Sequence, residues 1–593
     1  MLYHKKRIFV RNYTFMKKFL ILFVGLCGMC VSCSQGDKSN SQNIASDTTW
    51  KQLTLREKIG QTMMITSDMY MHKQIGNGTL DTFFLKYPVG GLFMAQWHFT
   101  YQKPDTLLFE TFIPRIIKEY NAASKLPLFI SEDFERGAGY NYNTATKLPV
   151  EMAIGAANDT SLAYAHGKIL GVEAREMGFN WVLAPVCDLN INPLHPLVIE
   201  RSVSDDAERA IPLLHSQMKG LQDQGVITTV KHFPGDGATI CDQHLITSAN
   251  NLSWLEWRKT FGKVFQTFIK ENTPSIMVGH LRFPAYQKAD TLNGDFLPAT
   301  LSKELIQKLL KKEMGYKGVV ISDALNMGGG YGFYDSELET AVQCFVAGAD
   351  IVLWPPLGYM DTIEARINRG EISMERLDDA VERVWALRER YNLIDKENRM
   401  PIAQPKPEGF DEYTNNKLTE LAEKAVTIVQ NKGGQIPLDT NTTKKILLAN
   451  ISHNDYCTVF EPMKQELEKR GFQVDVKHNL HKDEWEWQWH RILEYDKVIV
   501  CFENHYFAPI GSPLLKDYEA YCLWTMVKLP KEKVIGVSFS NPYYNKYYLN
   551  KNSLLINAYS SDPFMQRAVV KVLMGETEAT ATSPVNLDNE LMK

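Results

Sequence analysis

The sequence has no large excess of charge of one sign. Its 65 basic and 69 acidic residues leave a formal net charge of -4 over 593 residues. No long basic run follows the first 18 positions, and we find no internal repeat or low-complexity segment. Binding to nucleic-acid phosphates needs clustered positive charge. We therefore expect no nucleic-acid partner, and the length predicts at least two globular domains.

Close cysteine pairs with disulfide or metal-ligand spacing are also missing. Of the nine cysteines, Cys27, Cys30 and Cys33 lie in or beside one N-terminal apolar run. The spacing of the others favours free or buried thiols, with no metal and no cofactor. These scattered cysteines are Cys187, Cys241, Cys344, Cys457, Cys501 and Cys522. The serine elbow of esterases and the metal-binding helix of peptidases are absent too.

The apolar run from Phe19 to Val31 is too short for a comfortable transmembrane helix. Basic residues after Met16, a possible true start, give it the features of a secretory signal. Its end, Val31-Ser32-Cys33, resembles a bacterial lipoprotein signal, which implies residues 1–33 as signal and a lipidated Cys33. Residues 34–50 are predicted to be a flexible tether. We expect the only membrane contact to be this anchor, on the periplasmic side of the outer membrane or the cell surface. A plain cleaved signal is the alternative.

Apolar segments alternate with helical patterns over residues 51–394, which predicts a (β/α)8 TIM-type barrel. Its closing helix is predicted over Ser373 to Tyr391. The eight predicted strands are Thr62 to Ile65, Val89 to Met94, Leu128 to Ser131, Trp181 to Val186, Val226 to Val230, Ser275 to Val278, Gly318 to Ile321 and Asp350 to Leu353.

A charged, proline-rich segment predicts a linker over residues 395–415. The remaining residues, 416–593, are predicted to form a smaller layered α/β sandwich domain. Its predicted strands lie near Lys445 to Ala449, Lys497 to Cys501, Lys533 to Val537 and Leu554 to Ile556.

Charged and imidazole groups follow the predicted strand Val226 to Val230, in the segment KHFPGDGATICDQH. Strand ends open onto the active-site face of such a barrel. This makes Lys231, His232, Asp236, Asp242 and His244 candidates for chemistry. Asp242 and His244 are two apart, so in an extended segment both side chains would project to one side, and the carboxylate could fix the imidazole tautomer.

Asp323 directly follows another predicted apolar strand, in the segment VVISDALNM. Position alone slightly favours a helix N-cap for this residue. The cluster of titratable residues after another strand of the same barrel favours a functional role for Asp323 instead. Glycosidic cleavage requires two acid/base groups that face one cavity. Asp188 and His280 also follow strands, and each has either a site role or a structural one.

Six segments carry these groups in order: PLFISEDFERGAG, LAPVCDLNINPLHPLVIERSVSDD, KHFPGDGATICDQH, PATLS, VVISDALNM and CFVAGADIVL. Together they resemble glycoside hydrolase family 3, most closely its β-N-acetylhexosaminidase branch. AEKAVTIVQNKGGQIPL and INAYSSDPFMQRAVVKVLMG resemble the second domain of many members.

The resemblance implies that Asp323 is the nucleophile of a retaining mechanism and that His244, oriented by Asp242, is the acid/base. It assigns sugar binding to Asp133, Arg201, Lys231 and His232, and we add Asp236 and Met327 from the same motifs. The expected substrates are glycans with β-linked N-acetylglucosamine at the non-reducing end.

The chain departs from that branch at Asp236, Gln243, His195 and Val203, where the branch has mostly His, Ser, Asn and Phe. The sugar preference is therefore open, and a β-glucosidase or β-xylosidase is the alternative. An inactive glycan-binding lipoprotein is the alternative from another class. The acceptor, water or phosphate, and the oligomeric state stay open.

Two further features have no settled role: Trp485, Trp487 and Trp489 are a sugar-stacking platform or packing, and Gly328 to Gly330 are a mobile loop or a turn.

Overall fold

The computed structural model describes residues 50–67, 78–95, 106–142, 144–397, 402–452, 460–478, 491–504 and 511–592. The predicted signal with Cys33, the tether up to residue 49 and the three tryptophans Trp485, Trp487 and Trp489 lie outside these residues. No helix in the described ranges is long and apolar enough to cross a membrane.

Eight parallel strands form the barrel and follow one another around it in sequence order. A backbone bridge between Ile321 and Ile351 joins the last two strands and brings the barrel close to full closure. All eight predicted strands are present, so the TIM-type barrel is confirmed. The strands are β1 (Met63–Thr66), β2 (Gly91–Phe93), β3 (Phe129–Glu132), β4 (Trp181–Val182), β5 (Ile227–Phe233), β6 (Ser275–Val278), β7 (Val319–Ser322) and β8 (Val352–Leu353).

Helices connect the strands, and several begin where a side-chain oxygen caps the first turn. Asp159 and Asp206 accept hydrogen bonds from the first-turn N–H groups of their helices, which leaves fewer unpaired donors at those ends. The helices of this half are Leu55–Gln61, Leu80–Lys86, Thr106–Ala123, Glu151–Ala157, Thr160–Met177, Ala207–Gln222, Trp254–Lys259, Phe261–Lys270, the π-helix Glu304–Glu313, Gly328–Tyr331, Glu337–Ala347, Gly358–Asn368 and Met374–Arg390.

The barrel strands are buried on both faces, which explains why they read as continuous apolar runs. One apolar cluster fills the interior, and a larger one lies between the strands and the surrounding helices. The interior cluster includes Met64, Phe93, Phe129, Trp181, Ile227, Met277, Val319 and Ile321. The barrel is therefore a packed core rather than a channel, and its chemistry lies at the strand ends.

A second sheet of six strands follows, in the order β9-β14-β13-β12-β10-β11, with β9 antiparallel to β14 and the other pairs parallel. Its strands are β9 (Thr427–Asn431), β10 (Lys445–Ile451), β11 (Gln473–His478), β12 (Lys497–Phe502), β13 (Val534–Ser538) and β14 (Leu554–Asn557). The helices of this half are Phe410–Ala425, Glu461–Lys469, Asp517–Met526, Tyr544–Tyr548 and Pro563–Leu573.

Alternate residues of the central strands enter two different apolar clusters. In β10, Ile446 and Leu448 join one cluster, whereas Leu447 and Ala449 join the other. This two-faced burial confirms the layered α/β sandwich. The domain boundaries at 395, 415 and 416 stay predictions, although the helix that begins at Phe410 shows that regular structure starts inside the predicted linker.

The chain after the last long helix returns to the barrel. Ser204 donates a hydrogen bond to the carbonyl of Pro584 at 2.6 Å, and Arg209 donates to the carbonyl of Ser583 at 3.1 Å. The backbone N–H of Asn586 donates to Asp205 at 2.7 Å. These bonds hold the segment that follows Arg201. The C-terminal part of the chain therefore helps to position one side of the barrel face at the C-terminal ends of the strands.

Five cysteines lie among the described residues, and none of these forms a disulfide: Cys187, Cys241, Cys344, Cys501 and Cys522. All but Cys241 are buried, and burial raises the pKa of the Cys344 thiol to about 12. The predicted free or core thiols are therefore confirmed for these five.

Arg388 is fully buried near the N-terminal ends of the barrel strands. Its guanidinium donates to the carbonyls of Pro127, Leu393 and Gly90 and to the side-chain oxygen of Gln61, at 2.6 to 3.1 Å. The same group lies over the Phe129 ring at 4.3 Å. One side chain thus ties the closing helix to the starts of β2 and β3.

We predict that Arg388→Met lowers the free energy of unfolding by about 3–5 kcal/mol, because four buried acceptors lose their donor. Arg390→Met is the matched control, since Arg390 is exposed and makes one surface hydrogen bond, to the carbonyl of Asn272. Thermal and chemical denaturation of both variants measure the difference. Equal losses would show that the buried guanidinium has no special role.

Candidate active site

Polar side chains converge at the C-terminal ends of five neighbouring barrel strands. In order, they are Asp133 after β3, Asp188 after β4, Lys231 and His232 within β5, His280 after β6 and Asp323 after β7. The predicted strand before Lys231 extends to Phe233, so Lys231 and His232 lie on the strand itself. This is the face on which barrel enzymes carry their active sites.

Lys231 is buried and forms ion pairs with Asp133 at 2.7 Å and Glu135 at 2.6 Å. Arg201 makes a two-point contact with the same Glu135, at 2.6 and 2.8 Å. Burial opposes the charge on Lys231, but the two carboxylates outweigh it and raise the pKa of Lys231. The cluster therefore stays charged and fixed before any ligand enters.

His232 lies between two carboxylates. Its Nδ1 is 2.6 Å from Asp188 and its Nε2 is 3.9 Å from Asp323. Burial lowers the pKa of His232, but the charge of Asp188 and its hydrogen bond outweigh burial, so the net pKa is raised. The ring is thus held beside Asp323, and its surroundings favour the cationic form more than water does.

Asp323 is buried, and its Oδ1 accepts the backbone N–H of Ala324 at 2.8 Å. Its Oδ2 has no hydrogen-bond partner within the ranges that the structure describes. Burial raises the pKa of this carboxyl, but the neighbouring histidines, His232 first, lower it below its usual range. The N-cap of the following short helix is Met327, so the alternative that made Asp323 a cap is wrong.

Asp242 and His244 form the predicted pair. His244 Nδ1 is 2.8 Å from Asp242 Oδ1, and the His244 backbone N–H donates to the same oxygen at 2.8 Å. The segment is a turn and not the extended conformation that we considered, because the N–H groups of Leu245 and Ile246 bond the Asp242 carbonyl. The carboxylate is buried, whereas 31% of the His244 side chain is exposed. His244 can therefore reach a ligand.

Asp236 is buried, and both of its carboxylate oxygens accept hydrogen bonds from protein groups. His195 Nε2 lies 2.9 Å from Oδ1, and Gln243 donates to Oδ2 at 3.3 Å. His195 Nδ1 accepts the N–H groups of Leu197 and Val198, so its Nε2 carries the proton that Asp236 accepts. Burial raises the pKa of Asp236, but its neighbours, His195 first, outweigh this and lower it.

Residues 54–387 match the family description "Glycosyl hydrolase family 3 N terminal domain". The chain belongs to glycosyl hydrolase family 3. The resemblance found in the sequence is confirmed, and the protein is a glycoside hydrolase.

Three comparisons extend over most of the chain. A "Beta-N-acetylglucosaminidase/beta-glucosidase" of Cellulomonas fimi is 27% identical over 494 residues, which cover 78% of this chain and 84% of that protein. A "beta-N-acetylglucosaminidase" structure from Paenibacillus sp. str. FPU-7 superposes with a TM-score of 0.77 at 27% identity, covering 90% and 99% of the two chains. "Beta-glucoside phosphorylase BglX" gives 0.76 at 25%, covering 91% and 95%.

The structure brings together most of the predicted site residues of this family 3 chain. Lys231 pairs with Asp133 and, together with Arg201, with Glu135, and His232 approaches Asp323. Met327 contributes to the apolar cluster of the barrel interior and is 7% exposed. The individual roles stay predictions. Among the described residues, no group of three or more His, Cys, Asp or Glu side chains could hold a metal ion.

Sequence reasoning missed Glu135, which joins the two cationic side chains Lys231 and Arg201. Its signal was its place in EDFER, two residues after Asp133. Asp188 orients its neighbours, because it accepts the backbone N–H groups of His232 and Asp236. These bonds favour the structural alternative for Asp188 over ligand binding.

His280 is fully buried, and its Nε2 lies 2.9 Å from the Ala324 carbonyl. Its Nδ1 lies 2.9 Å from the hydroxyl of Thr300, and its backbone N–H donates to Gln243. Both ring nitrogens are thus satisfied by protein atoms. This arrangement favours the structural alternative for His280.

We predict that His232→Gln moves the acidic limb of kcat/KM to higher pH. In the parent protein the cationic ring lowers the pKa of Asp323, so the carboxylate persists at lower pH, and loss of that charge raises the pKa. His215→Gln is the matched control, since His215 is exposed and pairs with Glu271. Profiles of kcat/KM against pH measure the shift, and an unchanged limb in His232→Gln would contradict the assignment.

Proposed function

We propose that the protein is a retaining exo-β-N-acetylhexosaminidase that releases N-acetylglucosamine from the non-reducing ends of β-linked glycans. The observation that carries the proposal is the pairing of two features at one face. Asp323 keeps an ionised oxygen without a hydrogen-bond partner in the described part of the chain, and His244 is held by a buried carboxylate. These are the two functions that double displacement requires.

In the first step, Oδ2 of Asp323 attacks the anomeric carbon of the sugar. The glycosidic C–O bond breaks, and its electron pair goes to the leaving oxygen, which takes a proton from Nε2 of His244. Asp242 accepts the hydrogen bond of Nδ1 and stabilises the imidazolium before this transfer. The products are the free leaving group, a neutral imidazole and a covalent glycosyl ester on Asp323.

In the second step, the neutral His244 ring accepts a proton from water as the water oxygen attacks the anomeric carbon. The bond to Asp323 breaks and its electron pair returns to the carboxylate. Two inversions at the same carbon give overall retention of configuration. One imidazole can serve both steps, because the same nitrogen gives up a proton in the first step and accepts one in the second.

The clamp of Asp133, Lys231 and Arg201 supports a role in sugar binding. Asp133 has 40% of its side chain exposed, whereas Lys231 is buried behind it. An exposed carboxylate backed by a fixed cation can accept hydrogen bonds from two adjacent sugar hydroxyls without moving. Such preorganisation reduces the ordering cost of binding.

The names of the relatives support N-acetylglucosamine as the first sugar to test. The Paenibacillus neighbour is named a β-N-acetylglucosaminidase, and the Cellulomonas fimi relative is named for both N-acetylglucosaminide and glucoside activities. β-Glucosidase or β-xylosidase activity is therefore the second candidate. The phosphorylase neighbour makes phosphate the second acceptor to test, with a glycosyl phosphate as the product.

We predict that the parent protein hydrolyses nitrophenyl N-acetyl-β-glucosaminide faster than nitrophenyl β-glucoside or β-xyloside. Asp323→Asn should lower kcat by about four orders of magnitude or more, because the amide is a poor nucleophile. Asp361→Asn, an exposed surface change, is the control. Initial rates with water or phosphate as acceptor measure each outcome.

Faster glucoside turnover would favour the second candidate. A parent protein that cleaves none of the glycosides would instead support the glycan-binding alternative. An Asp323→Asn variant as active as the parent would refute the nucleophile.

A lipid-anchored position in the cell envelope is also our proposal, and it rests on the sequence around Cys33. We predict that the parent protein fractionates with membranes and that Cys33→Ser does not, because the thiol is the acylation site. Cys27→Ser is the matched control, since Cys27 lies six residues before Cys33 in the same apolar run. Immunoblots of soluble and membrane fractions measure this, and a parent protein found only in the soluble fraction would favour a plain cleaved signal.

A further inference from the structure

We propose that Gly328 and Gly329 are positioning residues that hold the His244 turn at a fixed place relative to Asp323. The inference rests on the proposed roles of these two side chains. The backbone N–H of Gly328 donates to the carbonyl of His244 at 2.9 Å, and the N–H of Gly329 donates to the carbonyl of Gln243 at 2.9 Å. The helical turn Gly328–Tyr331, which follows the nucleophile strand, is thus bonded directly to the acid/base turn.

The approach of the two segments leaves no room for a side chain. A Cβ atom at Gly328 would lie 2.4 Å from the carbonyl oxygen of Leu245. One at Gly329 would lie 2.5 Å from the carbonyl oxygen of Gln243 and 2.9 Å from His280 Cβ. Because the obstructing atoms at closest approach are backbone, an added methyl group must move the His244 turn and the Gly328–Tyr331 turn apart.

Two side chains of the turn complete the attachment. Thr247 donates its hydroxyl to the Gly329 carbonyl at 2.8 Å. Gln243 accepts the backbone N–H of His280 at 2.8 Å and donates to Asp236. The turn is therefore fixed both to the segment after β7 and to the residues after β5 and β6.

Burial of apolar side chains does not explain how the turn is held. Leu245 and Ile246 follow His244 and are 48% and 55% exposed. The hydrogen bonds and the glycine contact are the interactions that position the turn. Proton transfer needs hydrogen-bond reach, and a displacement of about 1 Å can cost about 100-fold in rate.

A leaving-group series tests this role. Gly328→Ala and Gly329→Ala are compared with the parent on aryl N-acetyl-β-glucosaminides whose leaving groups range from dinitrophenol to unsubstituted phenol. Gly332→Ala is the matched control, because it lies in the same segment with φ of -81° and its Cβ would meet nothing within 4 Å.

Dinitrophenolate departs without a proton, whereas phenol requires one from His244. We expect kcat/KM for the phenyl substrate to fall by about 10- to 100-fold in both variants. The value for the dinitrophenyl substrate should change little, and Gly332→Ala should match the parent throughout. A uniform fall across the series, or no fall at all, would overturn the proposal.

The second step of the proposed reaction, in which water attacks the glycosyl ester on Asp323, gives an independent readout. With the dinitrophenyl substrate, turnover in the variants is limited by the attack of water, which needs the imidazole as a base. Azide attacks the anomeric carbon without a base and gives a glycosyl azide, so added azide should restore kcat in the two variants. Failure of azide to accelerate turnover would count against a displaced base.

Thr247→Val provides a milder change if an alanine variant does not fold, since it removes the hydroxyl that bonds Gly329 and keeps the shape of the side chain. It should show the same leaving-group dependence to a smaller degree. If the parent prefers glucosides, the sugar assignment fails and the same series on aryl β-glucosides still tests the glycines. If the parent cleaves N-acetylglucosaminides and the variants match Gly332→Ala, only the positioning role fails.

Discussion

The buried carboxylate of Asp188 is the interaction on which the geometry of the site depends. It accepts three hydrogen bonds, from the backbone N–H and Nδ1 of His232 and from the backbone N–H of Asp236. A buried charge is costly unless it is paired and hydrogen-bonded, and these contacts offset that cost. The residues after β5 are thereby bound to the end of β4, and the His232 ring is directed at Asp323.

The same principle separates Asp323, the proposed nucleophile, from the other carboxylates. Glu135 is engaged by Arg201 and Lys231, and Asp236 by His195 and Gln243. The His232 ring lowers the pKa of Asp323, yet its Nε2 lies 3.9 Å from the carboxylate, too far for a hydrogen bond. It is charged but incompletely bonded, which is the state that a nucleophile needs. Because the neighbouring carboxylates are paired with other groups, Oδ2 of Asp323 remains available.

The barrel was predictable because its strands are apolar on both faces and end in polar residues. In the second domain, the strands missed were β9, which is antiparallel at the edge, and β11, which is partly exposed, so neither has a long apolar run. The motifs also predicted the groups at the site. Their pairing was not predictable, since Glu135 and Arg201 are 66 residues apart and His195 and Asp236 are 41 apart. No local pattern links side chains at such separations.

Asp236 departs from the pattern of the branch, so the sequence does not decide the sugar preference. In the structure, Asp236 touches two of the other departures, His195 and Gln243. The three residues form one buried network. Replacing any one of them by the residue that is common in the branch would leave a donor or acceptor unpaired. We therefore expect Asp236 to shape the acid/base turn and not to contact the sugar. The preference for one sugar then depends on exposed groups around Asp323, and Asp133 is the first of them to examine.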